Sequence, residues 1–230
     1  MKIQKVRFGL ARGAKLPLNL KHHTHVTLGL YEKETAARVL EAVNPETIFY
    51  DLGGGIGYYA IGLGRRLKGD KGDKGDKGDK GDKGGKVYAF ESDPARVEWL
   101  KTAVVANGLD GVVEIIQAEM GNGDGQLALD DFLERDGVRP PTLIKVDVEG
   151  AEADVIAGAT RLLTKHHPQL FIETHSRQVD AECIDLLQSM DYDVETMDQT
   201  GRQWGPRPID FNRWLWATQR TATQRTKDVT

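Results

Sequence analysis

Residues 51–57 read Asp-Leu-Gly-Gly-Gly-Ile-Gly, where a short apolar run meets a helical one. Glycines there let the backbone turn sharply and approach a ligand, and a helix start offers free N–H groups. Two classes of adenosine cofactor use such a turn. Gly55-Ile56-Gly57-Tyr58-Tyr59-Ala60 fits the G-x-G-x-x-G/A pattern of dinucleotide sites, where a pyrophosphate rests on the helix N-terminus. Asp51, Gly53, Gly55 and Gly57 fit the D-x-G-x-G-x-G pattern of adenosylmethionine sites. That ligand is cationic at its amine and sulfonium and carries no phosphate, so an acid ahead of the glycines suits it better. Glu91 supports either cofactor, because an acid ending the next strand can accept hydrogen bonds from both ribose hydroxyls. A third group is Ile144-Lys145-Val146-Asp147-Val148-Glu149-Gly150-Ala151-Glu152. It places Asp147 just beyond a strand and two glutamates at a helix start, where the helix dipole favours acids.

These residues need elements to hold them, and the chain alternates strand-like and helix-like segments. Strands are expected at 47–51, 87–91, 112–117, 142–147, 170–173, 192–197 and 214–218. Helices are expected at 32–43, 57–67, 94–107 and 151–165, and again around Val179, Cys183, Leu187 and Met190. Ser92 or Asp93 can cap the helix that opens with Pro94. Such alternation means a mostly parallel sheet with helices on both faces, binding ligands beyond the carboxyl ends of its strands. That rule brings Asp51, Glu91, Ala118-Glu119, Asp147 and Glu173-Thr174-His175 to one edge.

The quoted segments resemble the FkbM-type family of class I S-adenosylmethionine-dependent methyltransferases. The family pairs D-x-G-A-N-x-G-Y-Y with I-K-x-D-V-E-G-A-E, and this chain has DLGGGIGYY at 51–59 and IKVDVEGAE at 144–152. It also has IETH at 172–175, like the family's E-x-H, and Gly29-Leu30-Tyr31-Glu32, like its G-x-Y-E segment. The similarity covers roughly residues 29–176. It departs where Gly54-Gly55 replaces Ala-Asn and where Ser92 stands in place of a common proline.

The resemblance implies a Rossmann-like α/β fold with a seven-stranded, mostly parallel sheet and an antiparallel last strand. It implies S-adenosylmethionine as cofactor and methyl transfer to a hydroxyl oxygen of a small-molecule, sugar or lipid-like acceptor. Carried over by position, Asp51, Gly53, Gly55 and Gly57 form the methionine-side loop, and Glu91 holds the ribose. Ala118 and Glu119 border the adenine, and Glu32, Ser92 and Asp147 complete the donor site. His175 is the first candidate for the base that takes the acceptor proton, and Asp147 the second. The alternatives are an NAD-dependent oxidoreductase and a catalytically inactive cofactor-binding protein.

Composition sets the remaining bounds. The chain has 230 residues, which fits one domain, here 29–218, with an extension at 1–28 over the site and a polar tail at 219–230. Its formal net charge of −4 argues against a nucleic-acid partner, which needs a basic face. No apolar run reaches the ~18 residues of a membrane span, and the N-terminus lacks a signal peptide's apolar segment, so a cytoplasmic protein is expected. The single cysteine, Cys183, excludes an intrachain disulfide. His22, His23 and His25 cluster with no Cys or carboxylate close by in the sequence, so no metal site is expected there. A Gly-Asp-Lys repeat at 68–86 has no apolar residue and reads as a solvated insertion loop that faces away from the ligand edge.

Overall fold

The computed structural model describes residues 1–69, 84–197 and 212–221. The centre of the Gly-Asp-Lys repeat, 70–83, and most of the expected tail, 222–230, lie outside the described residues. Two compact units emerge, 1–119 and 120–197 with 212–221.

In the first unit β1 (Lys2–Lys5) and β2 (Lys15–Leu18) form an antiparallel pair, followed by α1 (Thr24–Thr27) and α2 (Lys33–Ala42). Then come β3 (Ile48–Leu52), α3 (Tyr58–Leu67), β4 (Lys86–Glu91), α4 (Pro94–Asn107) and β5 (Val113–Gln117). Every residue of β3 is buried, as expected of a parallel strand covered on both faces. The β1–β2 pair had no counterpart among the sequence expectations. It is tied to the end of α4, where the Asn107 side chain accepts from the Lys15 N–H at 2.9 Å and donates to the Lys15 carbonyl at 2.8 Å. Residues 10 and 11 press so closely on α3 that a Cβ at Gly62 would stand 2.4 Å from Leu10 Cδ2. The start of α4 follows the expected pattern, with the Asp93 side chain accepting from the Ala95 and Arg96 N–H groups and Pro94 in the first turn.

The second unit runs α5 (Leu129–Leu133), β6 (Leu143–Val146), α6 (Glu152–Ala157), α7 (Thr160–His166), β7 (Gln169–Thr174), α8 (Arg177–Ser189), β8 (Tyr192–Met197) and β9 (Arg213–Gln219). One helix was expected over 151–165, and two are present. The Asp130 carboxylate accepts from the Arg161 and Leu162 N–H groups at 2.9 and 2.7 Å, capping α7 as a new start. Gly158 sits at the break, where a Cβ would come within 2.8 Å of the Gly121 carbonyl oxygen. In β9, Trp214 and Trp216 both stack on Phe171, with ring centroids 5.8 and 5.9 Å apart.

The seven-stranded sheet has the order β5-β4-β3-β6-β7-β9-β8. β3 pairs β4, β4 pairs β5 and β6 pairs β7 in parallel, while β9 is antiparallel to β7 and β8. This is the expected mostly parallel sheet with its last strand reversed. Among the described residues no helix is long and apolar enough to cross a membrane.

Candidate functional site

In the first unit the β3–α3 turn needs glycine at three places. Gly53, Gly55 and Gly57 have φ of 78°, 53° and 85°, the left-handed region that side chains resist. The Gly53 and Gly54 N–H groups both donate to the Phe90 carbonyl, at 3.0 and 2.9 Å, which fixes the turn against the end of β4. Two acids brace it. Asp51, 1% exposed, accepts from the Ala60 N–H at 3.0 Å through Oδ2. Glu91, 4% exposed, accepts from the Gly55 N–H at 2.9 Å through Oε2 and from the Asp93 N–H at 3.0 Å through Oε1. A carboxylate has about four lone-pair sites, so Glu91 can hold the turn and still accept from a ligand. Among the described residues a Cβ added at Gly55 would meet only the Gly53 carbonyl oxygen, at 3.9 Å, so they leave the turn open on that side. This open, acid-flanked turn fits a ligand with a cationic amine and a ribose.

The other expected donor residues divide. Ala118 is half-buried, and its N–H donates to the Glu91 carbonyl at 3.1 Å. Ser92 and Glu119 are exposed. Glu32 opens α2 with a left-handed φ of 45° and accepts from the Tyr59 hydroxyl at 2.7 Å. Burial, and then Glu32 beside it, push the Tyr59 phenol up.

In the second unit, parallel register pairs Val146 with Ile172, so Asp147 and Glu173 come next at the carboxyl ends of adjacent strands. The buried Lys145 ammonium lies 3.0 Å from Asp147 Oδ2. His175 Nε2 lies 3.7 Å from Asp147 Oδ1, and His175 Nδ1 lies 2.9 Å from Glu152 Oε1. Glu152 is 0% exposed, and the same Oε1 accepts from the Gly150 and Val148 N–H groups at 2.9 and 3.3 Å. The Asn212 side-chain nitrogen donates to Glu173 Oε1.

Burial lowers the His175 pKa, but the hydrogen bond and charge of Glu152, with Glu173 and Asp147 beyond, outweigh it and raise it to about 9. At neutral pH His175 is therefore an imidazolium between carboxylates. Burial, and then the charge of Asp147, push Glu173 up to about 7, against the Asn212 hydrogen bond, His175 and Lys145.

The structure thus brings Asp147 and His175 together, as the sequence led one to expect. It adds Lys145, Glu152 and Asn212, and gives Glu173, expected only as a residue of the ligand edge, a place beside them. Alternation along a strand marks two of these four, because residues two apart share a face: Lys145 with Asp147, and Glu173 with His175. His22 and His25 belong to no cluster of three metal-binding side chains among the described residues.

No curated protein matches the chain. Residues 124–194 match the methyltransferase FkbM domain. That segment carries Asp147, Glu152, Glu173 and His175, and the match agrees with the resemblance drawn from the motifs. Solved structures agree at the level of fold. Methyltransferase FkbM from Methylobacillus flagellatus is 21% identical with a TM-score of 0.56, over 75% of this chain and 44% of that one. The present chain therefore spans less than half of that protein. A SAM-dependent O-methyltransferase from Thermotoga maritima is 16% identical with a TM-score of 0.56, over 83% of this chain and 66% of that one. An O-methyltransferase from Bacillus cereus, in complex with SAH, is 14% identical with a TM-score of 0.59, over 83% and 81%. The fold is that of the class I, SAM-dependent methyltransferases.

Proposed function

We propose that the chain is an S-adenosylmethionine-dependent methyltransferase acting on a hydroxyl oxygen of a small-molecule, sugar or lipid-like acceptor. The observation that carries this reading is the glycine turn braced by Asp51 and Glu91. The FkbM match and the fold support it, and the Thermotoga and Bacillus O-methyltransferases favour oxygen as the atom methylated.

The cofactor supplies a methyl group on a sulfonium, whose C–S bond breaks with its electron pair left on sulfur as the C–O bond to the acceptor forms. The chain's part is to align the reactants and manage one proton. Asp51 and the turn at Gly53, Gly55 and Gly57 receive the methionine end. Glu91 accepts from the ribose hydroxyls. Ala118 and Glu119 border the adenine, Ser92 completes the donor site beside Glu91, and Glu32, through Tyr59, steadies the start of α3. Asp147 shapes the donor side. His175, held by Glu152, orients the acceptor hydroxyl, and the proton it loses passes into the Asp147–Glu173–His175 cluster.

The test is methyl transfer from labelled adenosylmethionine into extract fractions. The reading expects label in a hydroxyl-bearing acceptor with the parent protein and a large loss with Glu91→Ala. Labelled donor that binds but never yields a methylated product supports the inactive binding protein instead.

A further inference from the structure

We propose that Asp147, Glu173 and His175 form a binding site for a divalent first-row cation of the Mn²⁺ or Zn²⁺ kind. Each offers one ligand atom, and these atoms all lie within 4.8 Å of one another. With metal–ligand bonds of about 2.1 Å, neighbouring ligands of an octahedral ion stand about 3 Å apart and opposite ones about 4.2 Å. The 3.7 Å between His175 Nε2 and Asp147 Oδ1 needs only a small inward movement to reach that spacing.

Three further features point to a cation. First, a histidine that ligates a metal through one nitrogen usually donates its other N–H to a carboxylate, which fixes the ring. His175 Nδ1 is held in this way by the fully buried Glu152, and Nε2, where a cation would displace the ring proton, faces Asp147. Second, two buried oxygens at the cluster have no hydrogen-bond partner among the described residues: Oε2 of Glu152 and Oδ1 of Asn212, the residue whose nitrogen holds Glu173. Third, three carboxyl groups, Asp147, Glu152 and Glu173, crowd around the His175 ring with the Lys145 ammonium beside Asp147, so a cation bound in place of the ring proton keeps positive charge among them. One imidazole with two carboxylates suits Mn²⁺ or Zn²⁺, whereas Mg²⁺ and Ca²⁺ favour all-oxygen sets.

A cation held there would take the acceptor oxygen as a further ligand and make its hydroxyl more acidic, and with all three side chains on the cation the proton would leave to water rather than to the cluster. That role rests on the methyltransferase reading, but cation binding does not, so the two are tested separately.

The probe is Mn²⁺ alone, added to the metal-stripped full chain and followed by calorimetry and electron paramagnetic resonance. The proposal expects one Mn²⁺ per chain, with a nitrogen modulation from the His175 ring. Glu173→Gln and His175→Gln should each weaken binding by ~10-fold or more, and Glu152→Gln, which loosens the ring, by ~10–100-fold. Urea unfolding midpoints check that each variant is folded, and the nitrogen signal of the parent protein decides the matter if one is not. No binding of Mn²⁺ or Zn²⁺ at millimolar concentration overturns the proposal. So does binding without the nitrogen signal, or binding that Glu173→Gln leaves unchanged, either of which marks a surface ion. Mn²⁺ binding with no affinity for adenosylmethionine would keep the metal site and sink the methyltransferase reading.

Discussion

Removing the Glu91 carboxylate should damage both the fold of the donor turn and its affinity for the donor. Two backbone N–H groups, those of Gly55 and Asp93, end on its two oxygens at 2.9 and 3.0 Å. Hydrogen bonds to a charged group contribute about 1.5–3 kcal/mol each, toward the low end where water can replace the lost partner. Gly55 is half-buried and Asp93 exposed, so the low end applies to both. Arg96 adds little, since its guanidinium is 4.0 Å away and 39% exposed. Glu91→Ala should therefore cost roughly 3 kcal/mol of folding stability. Glu91→Gln should recover only part of this. Its oxygen can serve one of the two N–H groups, but its NH₂ then faces the other, donor against donor. Urea unfolding reads the loss as a lower midpoint at unchanged slope. Titration with adenosylhomocysteine should show a further loss of ~10–150-fold in affinity, the equivalent of about 1.5–3 kcal/mol of ribose hydrogen bonding. An alanine variant as stable as the parent, or one that binds the donor product equally well, would refute this account of the turn.

Three further outcomes follow from packing. Gly62→Ala improves helix propensity by about 1 kcal/mol but drives a Cβ to 2.4 Å from Leu10 Cδ2 and 3.1 Å from the Ala11 backbone, so a net loss of about 1 kcal/mol is expected in urea unfolding. A gain in stability would show that residues 10 and 11 do not pack on α3. Burial, and then Glu152, Asp180 and Glu182, push the Cys183 thiol up to about 12, so a thiol reagent at pH 8 should label it only as fast as the protein opens. Immediate labelling of the folded protein would contradict that burial. Replacing residues 70–83 with a short Gly-Ser link should change stability by only ~1 kcal/mol, since loop closure varies with the logarithm of length. It should also leave donor affinity intact, because the flanking Gly69 and Gly84 adjoin the end of α3 and the start of β4, the strand end opposite Glu91. A large drop in donor affinity would contradict that placement.

Much of the glycine turn and the start of α4 was legible because their signals are local. The glycines at 53, 55 and 57 announce positive φ, and Asp93 with Pro94 announces a helix start only two or three residues away. What escaped depends on partners far along the chain. The division between α6 and α7 is made by Asp130, about thirty residues upstream. The β1–β2 pair is held by Asn107, 92 residues from Lys15. Glu152 stands where a helix dipole would account for any acid, and only its contact with His175, 23 residues on, shows why it is fully buried. Glu173 was visible as a strand-end residue beside His175. Its bond to Asn212 depends on the antiparallel return of β9, which no local pattern marks.

Direct titration of the full chain with adenosylmethionine, adenosylhomocysteine and NAD tests the central claim. The account predicts saturable binding of both sulfur ligands, one per chain, weakened in Glu91→Ala, and no comparable heat from NAD. Tight binding of NAD with none of adenosylmethionine would contradict it.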